Sequence, residues 1–374
     1  MSAERTVVSV FGTRPEIIKM APVLRALAGR TGLRSKVVLT SQHTDLARPF
    51  LERFGVSADR DLAVMRPNQT PEEVSAKVLT GLGPILSEWD ASLVLVQGDT
   101  ATAFAAALAA FYRRVPVGHV EAGLRTADPT NPFPEEMHRR MVGRLASIHF
   151  AATERNRAAL LAEGVRPDQI HVTGNTVVDA LQLTLRATRP TAALETLLSA
   201  SEGRRRLVLT THRRESFGDL MSGNLAVLKE FVSEHADVEL FFPVHPNPSV
   251  RRPTEEILGG TPRIHLLDPM DYSDFLHLLQ SAWLVVSDSG GVQEEVPSLG
   301  KALLVLRENT ERPEVVESGI AELVGGDPEV LRRRLAELHA DDRWIQAATS
   351  IPNPFGEGTA AEKIAMLVEE FVNS

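Results

Sequence analysis

The 374-residue chain is too long for one ordinary hydrophobic core and suits two domains. Its 43% hydrophobic and 24% charged residues are typical of a globular protein, and a formal net charge of -9 argues against a nucleic-acid or membrane-surface binder. The absence of cysteine excludes a disulfide scaffold, thiolate metal sites and a cysteine nucleophile.

Strand-like apolar runs alternate with amphipathic helical stretches along the whole chain, which predicts parallel sheets built from βαβ units. The first series of predicted strands is 7–11, 37–40, 93–96, 115–120, 148–151 and 170–173. Residues 189–206 are interpreted as an irregular, charged connection. The second series is 207–210, 239–244, 264–267, 283–286 and 302–306.

This repetition predicts an α/β protein of two Rossmann-like domains. We assign residues 1–175 to the first domain, together with a C-terminal helix within 357–374, and residues 176–356 to the second. Ligands of such folds bind beyond the carboxyl ends of the strands, so we expect a site in a cleft between the domains. No secretory segment precedes the first strand, and no apolar run is long enough to span a membrane, which predicts a cytoplasmic protein.

Polar residues follow several strand ends of the first domain. Arg14 and Lys19 lie about one helical turn apart and can face a ligand anion; alternatively, Lys19 pairs with Glu16 at an ordinary helix start. Asp99 is either a functional carboxylate or the N-cap of the alanine-rich helix, or both. Glu121 ends a strand without an obvious helix to cap, and Glu135 suits either catalysis or a first helical turn.

The second domain offers its own strand-end groups. His212 follows the first strand of that domain and can donate to a phosphate or move a proton, or it is merely structural; Arg213 follows it directly. His245 lies in a proline-rich loop and is interpreted as mainly structural. Ser289, Gly290 and Gly291 form a small-residue turn before a helix, which is typical of an anion site but also of a simple chain reversal.

Several familiar cofactor patterns are missing from the sequence. No His, Asp and Glu grouping has a zinc-like spacing, and no Walker lysine motif, G-x-S-x-G elbow or G-x-G-x-x-G fingerprint occurs. We therefore expect neither a metal nor a cofactor.

A set of characteristic motifs occurs between residues 11 and 314, in this order: F-G-T-R-P-E, G-D-T, G-H-V-E-A-G-L-R-T, P-E-E, G-N-T-V, H-R-R-E-S-F-G, D-S-G-G-V-Q-E-E and T-E-R-P-E. With them, the chain resembles the bacterial non-hydrolysing UDP-N-acetylglucosamine 2-epimerases. The resemblance implies the two-domain GT-B fold of nucleotide-sugar glycosyltransferases and a homodimer. It also implies interconversion of UDP-GlcNAc and UDP-ManNAc without NAD, through elimination of UDP to 2-acetamidoglucal and its re-addition.

The resemblance assigns roles to residues at matching positions. Asp99, Glu121, Glu135 and His212 match the catalytic positions, and the order in which the carboxylates act stays open. The positions that match contacts to the UDP-sugar are Arg14, Lys19, Arg213, Phe275, Ser289, Gly290, Gly291, Glu295 and Arg312. Because a carboxylate suits ribose hydroxyls better than a diphosphate, we assign Glu295 to the ribose and Phe275 to the surroundings of the uracil.

Two departures from the family pattern bear on regulation. Many bacterial members bind a second UDP-GlcNAc as an activator; Gln42 and His245 match that site. Asp45 replaces a glutamine and Asn68 replaces an arginine there. Because losing an arginine and gaining an acid disfavours a diphosphate, we expect weak or absent activation by substrate.

Three alternatives remain open at this level. A hydrolysing epimerase would release ManNAc and UDP, a glycosyltransferase would need an acceptor pocket, and a UDP-sugar sensor would bind without turnover. Retention of all four catalytic positions counts against the sensor.

Overall fold

The computed structural model describes residues 4–40, 51, 54–64, 66, 69–213 and 217–374. The chain divides into two compact units, which we call unit 1 (Met1–Ala180 with Phe355–Ser374) and unit 2 (Leu181–Pro354). Each unit contains its own buried apolar core.

Each unit is built on one parallel sheet. Within the described residues, the sheet of unit 1 has the order β3-β2-β1-β4-β5-β6-β7 and that of unit 2 the order β10-β9-β8-β11-β12-β13. The strands are β1 (Arg5–Phe11), β2 (Leu33–Leu39), β3 (Arg60–Asp61), β4 (Ala91–Gln97), β5 (Val117–Ala122), β6 (Ile148–Ala151), β7 (Ile170–Val172), β8 (Arg205–Thr210), β9 (Val238–Pro243), β10 (Ile264–Leu267), β11 (Leu284–Ser287), β12 (Leu303–Val305) and β13 (Ala321–Leu323).

Helices connect the strands. They are α1 (Arg14–Ala28), α2 (Pro71–Glu88), α3 (Ala101–Tyr112), α4 (Glu135–Leu145), α5 (Glu154–Ala162), α6 (Thr176–Ala187), α7 (Ala192–Ala200), α8 (Asp219–Glu234), α9 (Pro248–Leu258), α10 (Tyr272–Gln280), α11 (Gly290–Glu295), α12 (Pro313–Glu317), α13 (Pro328–Ala340), α14 (Arg343–Ala348) and α15 (Ala360–Asn373), with 3-10 turns at Pro167–Gln169 and Val296–Leu299. Helix α15 belongs to unit 1 and packs on α1.

The prediction of two parallel α/β sheets is confirmed, with three local differences. Strand β3 was missed because it is a polar dipeptide, and β13 because its sequence, Ala-Glu-Leu, is not a continuous apolar run. The prediction of an irregular connection over 189–206 is wrong. Thr191 caps α7 by accepting a hydrogen bond from the Leu194 backbone N–H at 3.4 Å, and the helix runs to Ala200.

The strand orders determine where functional groups collect. In unit 1, the chain leaves β1 for β2 on one side and returns to β4 on the other. In unit 2, β8 lies between β9 and β11 in the same way. Such reversals of strand order open a crevice at the carboxyl edge of a parallel sheet, where ligands of doubly wound folds bind. None of the helices that the structure describes is long and apolar enough to cross a membrane.

Candidate active site

Three side chains converge on the carboxylate of Glu121 at the carboxyl edge of the unit 1 sheet. The ammonium group of Lys19, on α1, forms an ion pair with Oε2. The side-chain amide of Gln97 donates to the same oxygen at 3.1 Å, and that of Asn175 lies at 3.4 Å. Lys19 therefore pairs with Glu121, the partner that the alternative interpretation did not consider.

Glu121 also has an unusual backbone conformation. Its φ is +62°, in the left-handed region, and the register between β5 and β6 shifts between Val120 and Ala122. A bulge of this kind re-aims one side chain, and a non-glycine residue with positive φ costs on the order of 1–3 kcal/mol. The surrounding contacts must offset that cost, so the direction of this carboxylate is imposed by the fold.

Glu16 is a buried carboxylate at the reversal point of unit 1. It accepts hydrogen bonds from the backbone N–H groups of Gly12 at 3.0 Å and Thr13 at 2.7 Å, and from the hydroxyl of Thr100 at 2.7 Å. Burial raises the pKa of Glu16 above its ordinary value, and these hydrogen bonds oppose the shift. Glu16 thus joins the loop after β1 to the loop after β4.

Asp99 follows β4 and is held by α4. Nε of Arg139 donates to Oδ2 of Asp99 at 3.1 Å, and Nη2 contacts the same oxygen. Asp99 is not the N-cap of α3, because Thr100 occupies that position and accepts from the Ala103 N–H at 3.0 Å. Glu135 is half-buried and is the first residue of α4.

His119, two residues before Glu121, is fully buried. Burial lowers the pKa of its imidazole to about 3, and the nearby His149 adds to the shift. Its Nε2 lies 2.8 Å from the carbonyl oxygen of Gly98, which identifies Nε2 as the protonated nitrogen of the neutral ring. His119 is therefore a neutral anchor for the loop after β4.

In unit 2, the loop after β8 is organised by Asp288, which is fully buried after β11. Its Oδ2 accepts from the Thr211 hydroxyl at 2.7 Å and from the backbone N–H groups of His212 and Arg213, both at 3.0 Å. The ring of His212 stacks on that of His245 at 5.5 Å between centroids. Asp288 was not singled out from the sequence, where it looked like part of a turn.

Arg312 lies against the small-residue turn that follows β11. A Cβ atom added to Gly290 would lie 2.6 Å from Nη1 of Arg312, so a larger residue there would push this guanidinium group aside. Nε of Arg312 donates to the buried Glu294 at 2.7 Å. Arg312 also lies 3.6 Å from Glu311. Burial by itself would raise the pKa of Glu311, but hydrogen bonding to Arg307 and the positive charges of Arg312 and Arg307 lower this pKa to about 2.

The other predicted site residues are distributed over both units. Arg14 is half-buried at the start of α1, Phe275 is half-buried on α10, and Glu295 is buried at the end of α11. Gln42, Asp45 and Asn68 lie outside the described residues. Sequence reasoning missed Gln97, Asn175 and Glu294, although each lies within or beside a quoted motif. It also missed Arg139, which lies beyond the end of P-E-E.

Unit 1 thus presents carboxylates held by side-chain donors, and unit 2 presents a guanidinium group beside a glycine turn. Carboxylates held in place can give and take protons, while a guanidinium group beside open backbone suits an anion. Over the described ranges, no group of three or more His, Asp or Glu side chains is arranged to hold a metal ion.

Comparison with known proteins identifies the relatives of this chain. The family model described as UDP-N-acetylglucosamine 2-epimerase matches residues 25–369. The UDP-N-acetylglucosamine 2-epimerase of Escherichia coli (strain K12) is 44% identical over 363 residues, covering 96% of each chain. That of Neisseria meningitidis serogroup A is 40% identical over 362 residues, covering 96% of this chain and 97% of the other.

Solved structures of the same family match the fold of this chain. The crystal structure of UDP-GlcNAc 2-epimerase from Neisseria meningitidis bound to UDP-GlcNAc matches with a TM-score of 0.90 and 38% identity, covering 99% of this chain and 100% of the other. The co-structure of S. aureus MnaA with UDP matches with a TM-score of 0.91 and 38% identity, covering 99% and 97%. The expected fold class is confirmed.

Proposed function

Because the chain belongs to the UDP-N-acetylglucosamine 2-epimerase family, we propose that it interconverts UDP-GlcNAc and UDP-ManNAc without hydrolysing them. The C2 proton of the sugar has no adjacent carbonyl on its carbon skeleton to acidify it. It leaves together with the anomeric UDP: a carboxylate takes the proton, the C1–O bond breaks, and 2-acetamidoglucal forms. UDP then adds back at C1 while a proton reaches C2 from the opposite face.

The observation that carries this proposal is the arrangement of unit 1. Asp99 follows β4, Glu121 lies near the end of the neighbouring strand β5, and each carboxylate is held by side chains of other elements. Removing the C2 proton from one face of the sugar and returning a proton from the other needs acid and base groups in fixed places. Glu135 on α4 is our third candidate for these groups. His212 completes the proposed catalytic set from unit 2.

We assign UDP binding to Arg14 and Lys19 in unit 1 and to the glycine turn and Arg312 in unit 2. Arg213, Phe275 and Glu295 complete the proposed contacts. The S. aureus co-structure with UDP, at 38% identity, supports a UDP site in this fold. The UDP must stay bound while the sugar is detached from it, so several cationic and backbone donors are needed.

The decisive measurement is NMR of UDP-GlcNAc incubated with the enzyme in deuterated water. We expect a mixture of the two epimers with deuterium at C2 and UDP still attached. An unexchanged sugar would refute the proposal, and free ManNAc with UDP would identify the hydrolysing alternative. Asp99→Asn and Glu135→Gln should abolish exchange while calorimetric UDP affinity stays within about threefold, because neither carboxylate is assigned to UDP.

We further propose that substrate activation is weak or absent, because Asp45 and Asn68 replace residues that suit a diphosphate. Starting from UDP-ManNAc alone, progress curves should then be linear from the first turnover. A long lag that traces of UDP-GlcNAc abolish would contradict this proposal. Asp45→Gln combined with Asn68→Arg should introduce such a lag.

Two properties of the whole molecule are carried over from the resemblance. We propose that the protein acts in the cytoplasm and forms a homodimer. Sedimentation equilibrium should give twice the chain mass of 40.9 kDa, and a monomer at the concentrations used for turnover would reject the dimer.

A further inference from the structure

We infer that Arg139 is a positioning residue that fixes the Asp99 carboxylate for proton transfer, and that the buried Glu136 in turn fixes Arg139. The inference rests on the epimerase activity proposed above. Neither residue belongs to the catalytic or UDP-binding positions that the resemblance assigns. Both lie in the first half of α4: Glu136 directly follows Glu135, and Arg139 is one helical turn beyond it.

The guanidinium group of Arg139 is shared between two carboxylates. Nε and Nη2 both reach Oδ2 of Asp99, and Nη1 donates to Oε2 of Glu136 at 3.1 Å. The side chain of Arg139 is only 6% exposed, whereas that of Asp99 is 26% exposed. None of the described residues donates a hydrogen bond to Oδ1 of Asp99. One oxygen is therefore held from inside the protein while the other remains available to a substrate.

Glu136 makes this arrangement rigid. It is fully buried and also accepts from Nε of Arg140 at 2.8 Å and from the backbone N–H of Thr126 at 3.1 Å. Nη2 of Arg140 donates to the Thr126 carbonyl at 3.0 Å. The network thus links α4 and the loop beyond β5 to the end of β4.

A buried ion network of this kind adds little to the folding stability of the protein. Removing charged groups from water costs about as much as their attraction returns, so a buried ion network is weak evidence for a stabilising role. A planar guanidinium group with several fixed donors does, however, hold a carboxylate in one orientation better than a single point charge would. The geometry therefore points to orientation of Asp99 as the purpose of the buried pair.

The backbone of Asp99 is held from the same helix. Nδ1 of His138 lies 3.0 Å from the Asp99 carbonyl oxygen, and the His138 ring stacks on Phe104 at 5.5 Å with an interplanar angle of 9°. Consecutive residues of α4 thus hold the main chain and the side chain of one candidate catalytic residue.

Arg140 provides a matched control. It is on the same helix and binds the same buried Glu136, but its hydrogen bonds within the described residues go to Glu136 and Thr126 and not to Asp99. Arg139→Gln should lower kcat for epimerisation and C2 deuterium exchange by about 100-fold, the scale of loss when a reacting group is displaced by about 1 Å. KM and the Kd for UDP should stay within about threefold, and Arg140→Gln should lower kcat by less than about threefold.

A double variant separates positioning from folding. Arg139→Gln leaves Glu136 buried with fewer cationic partners, and thermal unfolding should register this. Glu136→Gln with Arg139→Gln removes that buried, under-compensated charge, so stability should recover in part while kcat stays low.

Equal losses in the Arg139 and Arg140 variants, or recovery of kcat in the double variant, would reduce Arg139 to a structural residue. An inactive wild-type enzyme would instead refute the proposed function. An active wild type with an equally active Arg139→Gln variant would refute only the positioning role.

Discussion

Replacing Asp288 should destabilise unit 2 and misplace His212. The carboxylate is fully buried and receives the Thr211 hydroxyl and the backbone N–H groups of His212 and Arg213. It is therefore the acceptor that holds the loop after β8 against the end of β11. Alanine at 288 removes this acceptor, whereas asparagine keeps one oxygen for the same three donors.

The magnitude follows from those three hydrogen bonds. A hydrogen bond to a charged group contributes about 1.5–3 kcal/mol to folding stability, so the loss of all three would cost roughly 5–9 kcal/mol if nothing replaced them. Water can replace part of this, because the side chain of His212 is 41% exposed. We expect Asp288→Ala to cost about 4 kcal/mol. Asp288→Asn should cost about half as much, since neutral hydrogen bonds are roughly half as strong.

Tryptophan fluorescence can isolate the affected unit. Trp283 and Trp344 are in unit 2, and Trp89 is in unit 1. In a Trp89→Phe background, urea denaturation reports on unit 2 through the two remaining tryptophans. Slowed C2 exchange would show the accompanying displacement of His212, and weaker UDP binding would show that of Arg213.

The control is another aspartate of unit 2. Asp327 is exposed and caps α13 by accepting from the Glu329 N–H at 2.9 Å. Since asparagine caps helices about as well as aspartate, Asp327→Asn should cost less than about 0.5 kcal/mol. The reasoning fails if Asp288→Ala changes the unfolding free energy no more than this control, or no more than Asp288→Asn.

Three further predictions concern unit 1. Because the folded-state pKa of Glu16 is raised, the contribution of Glu16 to folding stability is most favourable below the ordinary value of 4.5 and is lost as pH rises through the raised pKa. Urea titrations at a series of pH values from 4 to 8 should therefore show the free energy of unfolding of Glu16→Gln rising relative to that of the wild type as pH increases. Gly123→Ala should cost more than about 3 kcal/mol, since its Cβ would lie 2.2 Å from the Asn156 carbonyl oxygen, whereas Gly164→Ala, with positive φ but open space, should cost about 1–2 kcal/mol by thermal melts. Asp179 accepts from the N–H groups that begin α15, so Asp179→Ala should speed amide hydrogen exchange there about tenfold, the equivalent of losing a helix cap, and Asp179→Asn should do so less.

Sheet strands with continuous apolar runs could be predicted because burial on both faces requires such residues. Strand β3 could not, since its two residues are polar and pair only at the sheet edge. Helix α7 carried a usable signal in Thr191 followed by leucines at helical spacing, but the surrounding arginines and proline obscured it.

The candidate site was predictable only in part. Strand-end acids and bases are visible in the motifs, and the resemblance selects among them. Their partners are not visible, because Glu121 and Lys19 are 102 residues apart in sequence and Asp99 and Arg139 are 40 apart. The left-handed backbone of Glu121 is equally hidden, since a bulge depends on pairing with β6 and not on residue type.

The structure also distinguishes two kinds of acid that look alike in the sequence. In unit 1, Glu16 joins the two loops at the reversal point by accepting backbone N–H groups; in unit 2, Asp288 does the same. The carboxylate of Asp99, by contrast, is bound by the side chain of Arg139, and that of Glu121 by Lys19.

An acid that accepts backbone N–H groups is committed to holding the chain, because releasing them would leave buried donors unpaired. An acid held by side chains can exchange a partner for a substrate. This difference favours Asp99 and Glu121 for proton transfer and leaves Glu16 and Asp288 as the supports of the loops around them.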